Sequence, residues 1–95
     1  MAYIIEIEDI EQIRQQEGID DVELRAAIRR LKVGDCVRLT FMADARRPET
    51  VPVRITHIRP GLTFRGKLVK RALKMPLGTI VEFTWDHVHS VVESR

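Results

Sequence analysis

Several chemistries are excluded by what this chain lacks. Cys36 is its only cysteine, so no internal disulfide can form and no site built on several thiolates can be assembled from one copy. Cys36 sits in an alternating apolar segment, where it reads as a small strand residue and not as an activated thiolate. The only serines, Ser90 and Ser94, lie close to the last residue, which argues against a serine nucleophile with a shaped site around it. No glycine-rich phosphate loop of the Walker or Rossmann kind is present. Aromatic residues make up 5% of the chain, too few to supply a row of base-stacking rings once the three phenylalanines are placed inside.

No apolar run approaches the roughly 20 residues that cross a bilayer. The first residues turn acidic at Glu6, Glu8 and Asp9, where a secretory signal would stay apolar, so a cytoplasmic location is expected. What is present is ordinary globular composition, with 44% apolar and 32% charged residues in 95. That length suits a single domain, 1–95, with one core.

The formal charge of +2 hides an uneven layout. Through Leu31 eight acids face four bases, whereas from Lys32 onward twelve bases face six acids. An acidic segment, 1–31, thus precedes a basic one, 32–95, which it could cover in cis or leave open to an anionic partner.

Periodicity divides the chain at the same place. Tyr3, Ile5 and Ile7 alternate with Ile4, Glu6 and Glu8 as a short strand would, and Ile10 and Ile13 then fall at helical spacing until Gly18. Asp20-Asp-Val-Glu23 has the form of a capping box opening a second helix, on which Leu24, Ala27, Ile28 and Leu31 make one apolar stripe. From Cys36 the period becomes two. Val37, Leu39 and Phe41 oppose Arg38 and Thr40, while Val51, Val53 and Ile55 oppose Arg54 and Thr56. Leu62, Phe64, Gly66 and Leu68 oppose Arg65 and Lys67, with Gly66 placed for a bend. Pro52, unable to donate to a ladder, marks its strand as an edge or a bulge. Val81 and Phe83 face inward on a fourth strand, Trp85 to His87 make a tight turn, and Val88 to Val92 form a fifth. The expected fold is α+β: an N-terminal helical segment (a short strand and two helices) packed on a small five-stranded antiparallel SH3-like β-barrel.

His87 and His89, two apart on a strand, project to one side and could share a metal with Asp86 or His57. No third ligand is fixed by spacing, so His57, His87 and His89 are only candidates, and no metal or other cofactor is expected. The basic residues carry the stronger lead. Arg38, Arg54, Arg65 and Lys67 occupy outward positions of strands expected to be neighbours, and Arg46, Arg47, Lys70, Arg71 and Lys74 on loops could widen that face.

From about Asp35 to Val92 the order of signals resembles the YegJ-like family of small bacterial domains of unknown function. The matching stretches are Glu49-Thr-Val-Pro-Val53, Phe64-Arg-Gly-Lys-Leu68, Pro76-Leu-Gly78, Val81-Glu-Phe83 and Asp86-His-Val88. The resemblance implies a small β-rich, barrel-like fold in a bacterial protein and carries over no catalytic residue. The first thirty or so residues fall outside it.

These readings point to a non-enzymatic protein-binding or accessory module with no small-molecule substrate and no membrane partner. It would dock a protein partner, or a second copy, through the face of Arg38, Arg54, Arg65 and Lys67 or through the edge carrying Pro52. The alternative is nonspecific nucleic-acid binding through the same basic face.

Overall fold

The structure, a computed structural model, describes residues 7–18, 20–42, 48–71 and 75–92. Two short helices, α1 (Ile10–Gln16) and α2 (Val22–Arg29), precede five strands. The strands are β1 (Cys36–Phe41), β2 (Glu49–Arg59), β3 (Thr63–Leu68), β4 (Ile80–Thr84) and β5 (Val88–Val92), with a 3-10 turn at Trp85–His87 between the last two. All pairings are antiparallel and the order across the sheet is β4-β3-β2-β1-β5. Among the described residues hydrogen bonds do not close this sheet into a barrel. It is open, with β4 and β5 at its ends.

Both helices begin at an aspartate that satisfies an early amide. Asp9 accepts from the N–H of Gln12 at 2.8 Å, and Asp21 accepts from that of Leu24 at 2.9 Å. The capping box expected from Asp20 is therefore displaced by one residue. Asp21 is the cap, Glu23 is too near it to reach back, and Asp20 instead pairs with Arg25 at 2.8 Å. Gly18, with φ +74°, takes the left-handed conformation that ends α1.

The apolar stripe of α2 meets the inner side of the sheet. Ile28 and Leu31 join Val37, Leu39, Phe41, Val53, Ile55, Phe64, Leu68, Phe83 and Val88 in one buried cluster, on which Leu24, Val81 and Trp85 pack. All three phenylalanines are inside as expected, and the rings of Phe64 and Phe83 stack with centroids 5.3 Å apart. Of the expected first strand only its end is described: Ile7 bridges Phe41 and the N–H of Glu8 donates to the Thr40 carbonyl. Residues 1–6 lie outside the described residues.

Pro52 does not mark an edge. β2 is the central strand, with β1 and β3 on either side. The Ile55 N–H donates toward β1, to the Asp35 carbonyl, so alternation turns the backbone of Pro52 toward β3. There the regular pairing ends at Val53–Leu68, and the Pro52 carbonyl still accepts from the Val69 N–H at 3.3 Å. The missing donor thus falls where the ladder runs out.

A bulge in β2 sets the phase of the rest of the sheet. Ile55 pairs with Gly66 but His57 pairs with Arg65, leaving Thr56 as the extra residue. Gly66 is required at this point: a Cβ on it would lie 2.5 Å from Val53 Cγ1 and 2.7 Å from the Arg54 carbonyl oxygen.

At the far end of the sheet, Leu68 exchanges backbone hydrogen bonds with Gly78 and Thr79, so alternation turns the N–H groups of Ile80, Glu82 and Thr84 away from β3. His87 Nδ1 accepts the last of these at 3.1 Å. No helix among the described residues is long and apolar enough to cross a membrane.

Candidate binding face

The outer side of the sheet, opposite the buried cluster, gathers the four strand cations. Strand register places Arg54 directly opposite Lys67, with Cys36 beyond Arg54 on β1 and Ile80 beyond Lys67 on β4. One row toward the start of β2, Arg38 lies between Pro52 and Ser90. One row the other way, Arg65 lies between His57 and Glu82. The alternation read from the sequence thus places Arg38, Arg54, Arg65 and Lys67 on one surface.

Their charges are unequally available. Arg65 donates from both Nε and Nη2 to a single oxygen of Glu82, at 3.1 and 2.6 Å. Its hydrogen bond and its positive charge, with a further contribution from Arg59, hold the Glu82 carboxyl below the ordinary carboxylate range. Arg38 donates to Ser90 Oγ at 3.2 Å. Arg54 and Lys67 are exposed and make no ion pair or side-chain hydrogen bond with a described residue.

Like charges opposed across two strands destabilise a sheet, and this pair has no carboxylate of the described chain to relieve it. An apolar group borders the pair: Ile80, on the same row, is 59% exposed.

The β2 bulge adds a residue that alternation did not reveal. Because Thr56 is inserted, His57 and Arg59 share the outer side with Arg65, and Arg59 stands opposite Thr63. The Thr56 hydroxyl fixes the bulge by donating to the Arg65 carbonyl at 3.1 Å. Of the loop cations, Lys70 and Arg71 are exposed just after β3. Arg46, Arg47 and Lys74 lie outside the described residues.

The acidic segment does not cover this face among the described residues. Three of its carboxylates are held by its own arginines. Arg14 pairs with Asp21 at 3.1 Å, and Arg25 bridges Glu11 and Asp20. The Glu11 hydrogen bond raises the Arg25 pKa above its ordinary value, with the charges of Asp20 and Asp21 adding to it against partial desolvation. Both helices pack toward the inner side and the β4–β5 connection, with Arg14 also donating to the His89 carbonyl at 3.3 Å.

The candidate grouping of His57, His87 and His89 is not formed. His87 is in the 3-10 turn with Nδ1 turned to the Thr84 amide. His89 is the inserted residue where the β1–β5 register slips between Ser90 and Val88, and His57 is on β2. Strand alternation does not extend across a turn and a bulge, so the three imidazoles stand on separate elements. Among the described residues no group of three or more His, Cys, Asp or Glu side chains is placed to hold a metal ion.

No family model matches the chain, and comparison with curated proteins and with solved structures found no similar protein.

Proposed function

We propose that this chain is a non-enzymatic binding module that docks an acidic protein surface on the outer face of its sheet. The observation that carries this reading is the register pair Arg54–Lys67: two exposed cations set against each other, at a cost to the sheet, with no described carboxylate between them. An incoming carboxylate would turn that repulsion into two charge-assisted hydrogen bonds. The exposed Ile80 on the same row favours a protein over a nucleic-acid backbone, because phosphates gain nothing from an apolar neighbour. The return of β5 to β1 and the 3-10 turn before it support an SH3-like reading of the sheet. A half-buried free thiol at Cys36 suits a reducing cytoplasm.

The test is capture from a bacterial lysate, with and without nuclease, by the wild-type chain and by an Arg54→Glu, Lys67→Glu variant. Both positions are exposed, so the fold should survive, as circular dichroism would verify. Discrete proteins held by the wild type and released by charge reversal are expected. Capture that ignores the reversal would sink the proposal. Binding that vanishes with nuclease, and weakens steeply with salt, would transfer the face to nucleic acid.

A further inference from the structure

A second site lies on the other side of the molecule, away from the basic face. A groove of about 370 Å³ runs between α2 and the 3-10 turn, with Ile28, Leu62 and Trp85 as its apolar lining and Arg25 and Arg29 along its helical wall. We propose that this groove takes an apolar side chain carried next to a carboxylate on an acidic polypeptide.

The two arginines of the groove differ in state. Four residues apart on α2, they share one helix face. The Arg25 guanidinium is occupied by Glu11 and Asp20, so its contribution to the groove is its stem. Arg29 is exposed and makes no ion pair with a described residue. It is a guanidinium at an apolar groove, suited to a forked contact with a carboxylate whose neighbouring side chain enters below.

The lining also carries backbone strain. Leu62 has φ +56°, a left-handed conformation that a leucine adopts only at a steric cost. Glycine would hold the turn without that cost, as Gly61 beside it does at φ +81°. The leucine instead packs on the buried cluster and lines the groove, and its carbonyl accepts from the Trp85 N–H at 3.1 Å. The strained turn therefore fixes Leu62 to the 3-10 turn, and the two together form the wall that faces α2. Trp85 completes it with a half-buried ring, apolar on its faces, of the kind that anchors protein contacts. A phosphate backbone would use Arg29 but not the apolar lining, so the combination selects a polypeptide.

Trp85 is the only tryptophan, so its emission reports on the groove directly. The probe is an acetylated and amidated tripeptide with a leucine flanked by two glutamates, titrated into the full chain at low ionic strength. A saturable shift of Trp85 emission is expected, weaker by at least about tenfold when lysines replace the glutamates, when glycine replaces the leucine, or in an Arg29→Glu variant. Arg29→Lys should recover only part of it, because an ammonium lacks the fork. The Arg54→Glu, Lys67→Glu variant should respond as the wild type does. Loss in that variant would assign the response to the outer face and overturn the proposal while leaving the acidic-partner reading intact. The absence of a saturable shift, an equal response to the lysine peptide, or indifference to Arg29→Glu would also overturn it. So would emission that moves with protein concentration alone, which would place a second copy in the groove.

Discussion

The helical segment and the sheet handle charge in opposite ways. On the helices, Glu11, Asp20 and Asp21 are matched to Arg14 and Arg25 by contacts that span as many as 14 residues, while Glu17 and Glu23 are exposed without an ion pair to a described residue. On the sheet, one carboxylate, Glu82, answers one of the four strand cations, and Arg54 and Lys67 are left facing each other. Charge on the helices organises the fold, where each partner fixes another. Charge on the sheet is tolerated by the fold, and a surface kept at a cost to stability is the better candidate for recognition.

The comparison can be broken most forcefully by detaching the helices. Ile28 is 3% exposed within the buried cluster, and Ile28→Ala should cost about 2–5 kcal/mol in a denaturant titration. The helical pairs should then be released together with the segment, while isolated strand contacts persist longest in hydrogen exchange. A variant with unchanged stability would show that α2 is not held by this contact.

Gly66→Ala attacks the other half. Its new methyl group meets the Arg54 carbonyl in the row that sets Arg54 against Lys67, and overpacking of this kind costs about 1–3 kcal/mol. Amide shifts confined to β2 and β3, with the helices unmoved, are the expected NMR signature. A silent substitution would contradict the close approach.

Asp21→Ala removes both the cap of α2 and the partner of Arg14, and about 1 kcal/mol should be lost on thermal or chemical unfolding. Asp20→Ala should do less, because Asp20 is exposed and does not cap the helix. Equal effects would return the cap to Asp20.

The smallest effect concerns Glu82. Its pKa is lowered in the folded chain, so the Arg65 contact contributes above the ordinary carboxylate range and is lost as pH falls through the depressed folded value. Both groups are exposed, so the change in stability should be slight. A titration of the Glu82 carboxyl carbon by NMR should give a midpoint below that of an ordinary glutamate, moving up in Arg65→Ala. A midpoint that does not move would separate the two side chains.

Much of this architecture was legible in the residues. Alternation identified the inward sets Val37, Leu39, Phe41 and Phe64, Leu68, because a strand with one buried face must repeat every second residue. The stripe Leu24, Ala27, Ile28 and Leu31 identified the packed side of α2 for the corresponding helical reason. The bulges at Thr56 and His89 were not legible. An inserted residue changes the phase of a strand without changing its composition, and with that phase went Arg59's place on the face and the assumed alignment of His87 with His89. Pro52 misled because a missing donor implies an unpaired neighbour, which an interior strand also provides where its partner ends. Asp20 and Asp21 are equivalent as caps in sequence, and only the geometry of the first turn chooses between them. The pairing of Glu11 with Arg25 and of Arg14 with Asp21 joins residues distant in the chain, and no local pattern announces it.

The last amide of β4 is not left to solvent, since the imidazole of His87 holds it from the turn that follows. Together with the anionic side chain of Glu82, this leaves β4, one of the two end strands, with the amides of Ile80 and Glu82 as its free donors toward an incoming β-segment. An open sheet would otherwise invite stacking of molecule upon molecule. Loss of the ring by His87→Ala frees a third donor on that edge, and a greater tendency to form fibrils in a dye-binding assay is the expected outcome.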